Sequence, residues 1–179
     1  MKIVKRIALF LLMIVLLMAC KGHRNTSTSN RSEPEKKVKK DKSTKSNSAE
    51  NKKAEEIIKM ARSYSGTPYK YGGTSRAGMD CSGLTSVSYK AAEISLPRTA
   101  NDQSNFGKEV SLTELKKGDL IFFTDKKGHK KITHVGMVTE VKSDGSAKFI
   151  HASTKLGVVE VELFSDYYKP LILKAVRVL

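Results

Sequence analysis

Residues 80–84 read Asp-Cys-Ser-Gly-Leu and mark the point where a glycine-rich loop gives way to a helix-like run, Ser82 to Ile94. The loop, residues 69–73, reads Tyr-Lys-Tyr-Gly-Gly. A cysteine at the first turn of a helix lies near the positive end of the helix dipole and near unpaired backbone N–H groups, and both favour the thiolate over the thiol. The sequence therefore predicts a reactive thiol at Cys81, presented by the start of a helix.

Two histidines follow in strand-like surroundings. His134 lies in Ile-Thr-His-Val-Gly-Met-Val, residues 132–138, and His151 lies in Phe-Ile-His-Ala-Ser, residues 149–153. The Asp-Gly pair at residues 144–145 is a strong hairpin signal, so we expect the two imidazoles to approach each other across paired strands. For Cys81 to join them, the tip of its helix would have to pack against the same face of the sheet.

The order of these groups along the chain is typical of papain-like thiol hydrolases, in which a cysteine precedes a histidine and a second polar group. A serine hydrolase is disfavoured because no Gly-x-Ser-x-Gly occurs, and a nucleotide enzyme because no Walker motif occurs. A metal site from His134, His151 and Asp80 is an alternative, but no Cys-x-x-Cys or His-Glu-x-x-His accompanies it. We expect no metal and no cofactor.

The hydrophobic pattern predicts helices first and strands after. A first helix has apolar residues at helical spacing between Ala54 and Ala61 and stops at Gly66 and Pro68. A short third helix is expected over residues 101–106. Strand-like segments follow at residues 120–124, 132–141, 147–152, 158–161 and 173–178. This order predicts an α+β fold in which N-terminal helices pack on an antiparallel β-sheet.

The N-terminal residues have the pattern of an export signal. Residues 1–19 combine a basic start, an apolar stretch from Ile7 to Met18 and a small residue before Cys20. The apolar stretch is shorter than the roughly 20 residues that a membrane span needs. Residues 17–20, Leu-Met-Ala-Cys, resemble a bacterial lipobox, whose cysteine is lipidated and becomes the new N-terminus. We expect a lipoprotein signal peptide over residues 1–19 and a lipidated Cys20; an uncleaved anchor with an incidental cysteine is the alternative.

Residues 20–48 are predicted to form a disordered basic tether, and residues 49–179 the folded domain, because the tether has too few apolar residues to offset its ordering entropy. Residues 21–56 carry 11 basic and 6 acidic side chains, a net charge of +5. Such a tether suits anionic lipid headgroups or wall polymers, or else serves as a charge-extended spacer. Nucleic acid is disfavoured because neither a binding motif nor interleaved aromatic residues accompany the charge.

The chain has two cysteines. If Cys20 carries a lipid, Cys81 has no disulfide partner, and an unpaired thiol in an exported protein needs a reason to persist. Catalysis supplies that reason. The alternative is a buried inert thiol, but Asp80, Ser82 and Gly83 make the surroundings polar and tight.

Several other side chains have two interpretations each. Tyr69 is either an ordinary core aromatic or a residue whose hydroxyl points into the cleft. Arg98 is either a surface residue or part of the cleft rim. Asp119 most simply caps a strand turn, and His23 and His129 are expected to be solvated.

Six segments resemble, in order along the chain, the sequence blocks of the NlpC family of bacterial cell-wall peptidases, over roughly residues 52–179. They are residues 68–73, 80–84, 96–99, 118–123, 134–137 and 149–153. Within that family the chain is most similar to the small Spr-type murein endopeptidase lipoproteins. The resemblance implies a papain-like α+β core and hydrolysis of peptide bonds in peptidoglycan stem peptides or cross-links.

By position, the resemblance makes Cys81 the nucleophile, His134 the general base and His151 the residue that orients His134. It implies substrate and oxyanion positions at Tyr69, Asp80 and Ser82. We expect Cys81 and His134 to rest partly as a thiolate–imidazolium pair and to work through an acyl-enzyme.

Two other functions stay open. A papain-like amidase or acyltransferase would use the same cysteine and histidine on another acyl donor, and a non-catalytic wall-binding lipoprotein would retain only the scaffold. The intact set of Cys81, His134 and His151 argues against the binder. We expect a monomer anchored to the cell membrane through Cys20. Because Lys21 is not an aspartate-type retention signal, the periplasmic side of the outer membrane is favoured if the organism has one.

Overall fold

The computed structural model describes residues 41–179. Its first element is helix α1, Asp41–Ser63, and the buried residues of this helix match the predicted helical spacing: Ala54, Ile57, Ile58 and Ala61. After the helix the chain turns at Gly66, which has a φ of 80° that favours glycine.

The sequence predicts that the folded domain starts at Ala49. Helix α1 begins earlier, at Asp41. Residues 41–48 were predicted to be disordered, and the structure shows them as helical. The side chains of residues 47–49 are exposed, and Ala54 is the first buried residue from there onward. The helix thus extends toward the N-terminus through polar residues that precede Ala54, the first residue from position 47 onward that packs in the core. The predicted signal peptide, Cys20 and the rest of the tether lie outside the described residues.

Two shorter helices follow. Helix α2, Cys81–Tyr89, runs into a 3-10 turn at Lys90–Ala92, and the chain leaves helical geometry at Glu93, whose φ is 62°. The predicted helix to Ile94 is therefore slightly too long. Helix α3, Ala100–Gln103, is a single turn capped by Thr99.

Within residues 41–179, eight strands form two sheets. Strands β1, Thr74–Ser75, and β2, Gly78–Met79, make a small hairpin within the loop before α2. The other six form an antiparallel sheet in the order β3-β8-β4-β5-β6-β7. Their bounds are Lys108–Val110 (β3), Leu120–Phe123 (β4), His134–Val141 (β5), Ala147–Ser153 (β6), Gly157–Glu162 (β7) and Ile172–Arg177 (β8). The predicted α+β fold, with helices packed on an antiparallel sheet, is confirmed.

The large sheet has a buried cluster on each face. Leu120 and Phe122 of β4 point to the face that packs against α1 and α2, and Ile121 and Phe123 point to the opposite face. Within residues 41–179, no helix is long and apolar enough to cross a membrane.

Candidate active site

Cys81 is the first residue of α2, as the sequence predicts, and it is 8% exposed. Asp80 caps this helix, because its Oδ1 accepts a hydrogen bond from the Gly83 N–H at 2.6 Å. A side chain on Gly83 would collide with the carbonyl oxygen of Gly73, so glycine is required where the loop closes over the first turn. The Asp-Cys-Ser-Gly sequence thus builds the helix start that presents the thiol.

Asp80 is the centre of a hydrogen-bond network beside the thiol. Its Oδ2 accepts the Gly72 N–H at 2.8 Å, and Arg98 donates to both carboxylate oxygens, at 3.0 and 2.6 Å. Arg98 also donates to the Ser82 hydroxyl at 2.9 Å. Burial alone would raise the pKa of Asp80, but the hydrogen bonds from Arg98, Gly83 and Gly72 hold this pKa below its usual range.

This network changes the roles expected for Asp80 and Ser82, which were placed with Tyr69 at the substrate and oxyanion positions. Both residues are 6% exposed, and their side chains are already hydrogen-bonded to Arg98 and to each other. The network gives both residues a part in positioning the loop and the helix start, and both also line the cavity beside Cys81, where their substrate role stays a prediction. The sequence gives two interpretations of Arg98, a surface residue or part of the cleft rim. Its position within Leu-Pro-Arg-Thr is the one sequence feature that favours the rim.

The two histidines meet across the hairpin, as the sequence predicts. His134 Nε2 lies 2.8 Å from His151 Nδ1, with an angle of 88° between the ring planes. His151 is 3% exposed, and its ring stacks on Phe149 with 4.9 Å between centroids. Gly136 makes room for this packing, since a Cβ at that position would lie 2.5 Å from Cδ2 of Phe149.

A further side chain, Tyr168, joins the pair. Its hydroxyl oxygen lies 3.0 Å from His151 Nε2, so both ring nitrogens of His151 have a partner. Tyr168 lies between β7 and β8, and no motif or spacing in the sequence links it to the histidines.

Cys81 approaches the histidines from the other face of the sheet. His134 and His151 lie on the face that carries Phe149, whereas Val135 packs in the cluster with α2. The expectation that α2 packs against the histidine face is therefore wrong, because successive residues of β5 alternate between faces. Cys81 packs instead in the cluster that includes Val135, the residue after His134, and the backbone N–H of Val135 acts to lower the pKa of the thiol.

Two adjoining cavities open onto these groups. One has a volume of about 400 Å³ and is lined in part by Cys81, and the other has a volume of about 300 Å³ and is lined in part by His134 and His151. Tyr69 lines both cavities, so it lies in the cleft. Burial, followed by the charges of Cys81 and Asp80, raises the pKa of Tyr69, which keeps its hydroxyl a hydrogen-bond donor.

Burial also determines the resting charge of the site. It raises the pKa of the Cys81 thiol, although the backbone N–H groups of Val135, Ser82 and Cys81 act in the opposite direction. It lowers the pKa of His134 to about 4. Burial and the neighbouring His134 lower the pKa of His151 to about 3. These directions favour a neutral thiol and neutral imidazoles at pH 7 over the thiolate–imidazolium pair that the sequence predicts.

The remaining candidates lie apart from this cleft or beside it. Asp119 is buried, accepts the Lys116 N–H at 2.7 Å and pairs with Arg177, so it closes the turn before β4 as the sequence indicates. His129 is exposed and lies 3.2 Å from an oxygen of Asp125, and His23 lies outside the described residues. Among residues 41–179, no three His, Cys, Asp or Glu side chains form a group that could hold a metal ion.

Comparison with known proteins gives the family. The model of the NlpC/P60 family matches residues 66–177. An Escherichia coli K12 protein named "Probable endopeptidase NlpC" is 37% identical over 118 residues, which are 65% of this chain and 73% of that protein. The "Gamma-D-glutamyl-L-lysine dipeptidyl-peptidase" of Bacillus subtilis 168 is 37% identical over 124 residues, 69% of this chain but 40% of that protein.

The fold gives the same result. The crystal structure of an NlpC/P60 family protein from Bacillus cereus matches with a TM-score of 0.64 at 35% identity, over 70% of this chain and 40% of that chain. The expected resemblance and the expected enzyme class, a cysteine-type peptidase, are confirmed at the level of the family. The family match spans Cys81, His134 and His151. The chain belongs to the NlpC/P60 family.

Proposed function

We propose that this protein is a peptidoglycan endopeptidase that hydrolyses peptide bonds in stem peptides or cross-links through Cys81, His134 and His151. The observation that carries the proposal is the arrangement of these three residues. The Cys81 thiol lies at a capped helix start against the backbone of Val135, and the adjacent His134 is hydrogen-bonded to His151 at 2.8 Å.

The first step adds the Cys81 sulfur to the substrate carbonyl and gives a tetrahedral adduct. With His134 protonated on Nε2 and donating to His151 Nδ1, its Nδ1 is free to take the Cys81 proton as the sulfur attacks the substrate carbonyl carbon. The carbonyl oxygen becomes an oxyanion. The Cys81 backbone N–H and the Tyr69 hydroxyl are the donors available to it, and one such donor contributes about 3 kcal/mol in other enzymes.

The adduct then collapses to a thioester, and hydrolysis of the thioester restores the enzyme. His134 gives its proton to the leaving amine, the carbon–nitrogen bond breaks and the acyl group stays on Cys81. A water molecule then attacks the thioester while His134 takes one of its protons. The carbon–sulfur bond breaks, and the thiolate regains its proton from His134, so the net reaction consumes one water molecule per peptide bond.

The relatives support peptidoglycan as the substrate. One is named an endopeptidase, and another is named for the bond between γ-D-glutamate and L-lysine. The two cavities that meet at Tyr69 give the cleft room for peptide on both sides of the reacting carbonyl. We propose a stem peptide containing a D-amino acid as the substrate class.

The test is digestion of purified sacculi by the full-length protein in detergent, with products identified by mass spectrometry. Wild type should release peptides cut within stems or cross-links, Cys81→Ala should release none, and His134→Ala should be slower by about 100-fold or more. His129→Ala is the matched control, because this exposed histidine lies outside the proposed triad, and it should retain wild-type activity.

Three results would contradict the proposal. Normal digestion by Cys81→Ala would exclude the thiol as nucleophile. Intact stem peptides freed from the glycan, or a transferred acyl group, would support an amidase or acyltransferase. Binding to sacculi without any product would support a wall-binding protein.

We also propose that Cys20 is lipidated after removal of residues 1–19 and that it anchors a monomeric enzyme to the cell membrane. The lipobox-like residues 17–20 and the basic composition of residues 21–40 support this proposal. If the organism has an outer membrane, its periplasmic side is the proposed location, because Lys21 does not match an aspartate-type retention signal.

A further inference from the structure

Tyr168 contacts the histidine pair on the side away from Cys81, with its hydroxyl oxygen 3.0 Å from His151 Nε2. We propose that Tyr168 is a positioning residue, whose hydroxyl oxygen holds His151 in the tautomer that lets His134 act as a base. This inference rests on the proposed function, in which His134 takes the proton of Cys81.

The hydroxyl is held in place by the packing of its ring. The Tyr168 ring meets the Phe149 ring edge-on, with centroids 4.9 Å apart and planes at 84°, and lies 5.9 Å from the Phe123 ring. Its backbone is fixed as well, because its N–H donates to the Ser165 hydroxyl at 3.4 Å and its carbonyl accepts from Leu171 at 2.9 Å. A side chain fixed in this way can set the orientation of its neighbour.

Two proton arrangements satisfy the chain of contacts. In the first, His134 Nε2–H donates to His151 Nδ1, and His151 Nε2–H donates to the Tyr168 oxygen. In the second, every donor is reversed, and the remaining proton of His134 then occupies its Nδ1. Only the first arrangement leaves His134 Nδ1 able to accept a proton, so only the first is competent for attack.

The Tyr168 hydroxyl lowers the free-energy cost of the competent arrangement, because it accepts a hydrogen bond from a buried N–H. His151 is 3% exposed, so removing the hydroxyl would take from its Nε2–H, in a buried setting, the acceptor that lies 3.0 Å away. A buried donor without a partner is costly, and the competent tautomer would lose population. By donating Nε2–H to the Tyr168 oxygen, His151 becomes a stronger acceptor at its Nδ1. The stronger acceptor stabilises positive charge on His134 during proton transfer.

The titratable groups around this contact are few. His134 faces His151 from β5, Tyr167 adjoins Tyr168 on its own segment, and Asp125 lines the same cavity from the loop after β4. Burial and the neighbouring Tyr167 raise the pKa of Tyr168, so its hydroxyl stays neutral at pH 7 and is available as an acceptor.

The experiment compares wild type with Tyr168→Phe, which keeps the ring and removes the hydroxyl. In full-length protein labelled with ¹⁵N-histidine, the ring shifts of His151 should report the Nε2–H tautomer in wild type and a gain of the Nδ1–H tautomer in the variant. Turnover of a muropeptide should fall about ten-fold in kcat, with KM within two-fold. Tyr64→Phe is the control, because this tyrosine is also half-buried but lies outside both cavities.

The proposal is wrong if His151 is the Nδ1–H tautomer in wild type, or if Tyr168→Phe leaves both the His151 shifts and kcat unchanged. A fall in kcat that is matched by Tyr64→Phe, with no change in His151, would mean a general effect on stability and would also overturn it. The tautomer measurement needs no substrate. Failure of the proposed hydrolase activity is therefore distinguishable from failure of this inference.

Discussion

Cys81 experiences two opposing influences at the scale of a single side chain. Its burial disfavours the thiolate, while three backbone N–H groups at the starts of α2 and β5 favour it. The balance raises the pKa of the thiol. His134 gives no standing positive charge in compensation, because its own pKa is lowered to about 4. These directions favour a neutral resting site, and in the proposed mechanism the nucleophile forms when substrate is in place.

The pH dependence of alkylation tests this resting state. Iodoacetamide reacts with the thiolate, so labelling of Cys81 should rise with pH through a midpoint above that of glutathione, and it should be negligible at pH 5. The position of the label is read by peptide mass spectrometry, and the midpoint is compared because limited access lowers the rate at every pH. Labelling that persists at pH 5 would instead establish a standing thiolate–imidazolium pair.

Residue types and their order on the chain were enough to select Cys81, His134 and His151 as the proposed triad, and the structure places the two histidines in contact. Arg98 and Tyr168 were not predictable in the same way. Arg98 belongs to the site because a loop brings it to Asp80 at 2.6 Å, and Tyr168 because packing on two phenylalanines aims its hydroxyl at His151. Such roles depend on tertiary packing, which leaves no local pattern in the sequence.

At the scale of elements, the hairpin of β5 and β6 carries both histidines and depends on Gly136. This glycine accepts the Phe149 ring against its backbone, and Phe149 in turn supports the ring of His151 at 4.9 Å. The geometry of the histidine pair is thus linked to the absence of one side chain on the neighbouring strand.

The substitution Gly136→Ala tests that link. Its Cβ would lie 2.5 Å from one Phe149 ring carbon and 3.0 Å from the Ile150 carbonyl oxygen, so either the ring or the strand must move. We expect a loss of about 1–3 kcal/mol in the free energy of unfolding, measured in urea, and reduced hydrolysis.

The comparison variant is Phe149→Leu, alone and combined with Gly136→Ala. A smaller side chain at position 149 relieves the contact, so the double variant should be more stable than the two separate losses would give. Strict additivity would show that Gly136 and Phe149 are not coupled.

Three elements of the fold follow from short stretches of sequence. The buried stripe of α1, the start of α2 and the hairpin at Asp144 and Gly145 follow from periodicity, capping and turn chemistry. The face of the sheet against which α2 packs could not be predicted from local sequence. It depends on which of the alternating side chains of each strand point toward the helices, and the whole sheet determines this.

At the scale of the whole molecule, charge and the N-terminal segment suggest a protein held near an anionic surface. The chain carries 33 basic and 18 acidic side chains, and residues 57–179 account for 19 and 12 of them. Residues 57–179 therefore have a net positive charge by themselves, and residues 21–56 add a net charge of +5. Both features favour association with anionic wall polymers or lipid headgroups.

The proposed lipid anchor predicts the behaviour of Cys20→Ala. This variant should lack the lipid modification and should leave the detergent phase in a phase-separation assay, because one or more acyl chains provide the membrane affinity that the basic residues alone do not. Lys21→Ala is the control and should stay in the detergent phase. Continued partitioning of Cys20→Ala with detergent would show that another segment anchors the protein.

Strand β8 is last in chain order, yet it lies between β3 and β4 and pairs with both. Its partners, such as Val110 for Ala175 and Leu120 for Val176, lie far back in the chain, and pairings of that kind form slowly. The six-stranded sheet therefore cannot close before residues 172–177 have left the ribosome. Closure of the sheet thus waits for its own topology, because among the strands of residues 41–179 the one latest in chain order fills the gap between β3 and β4.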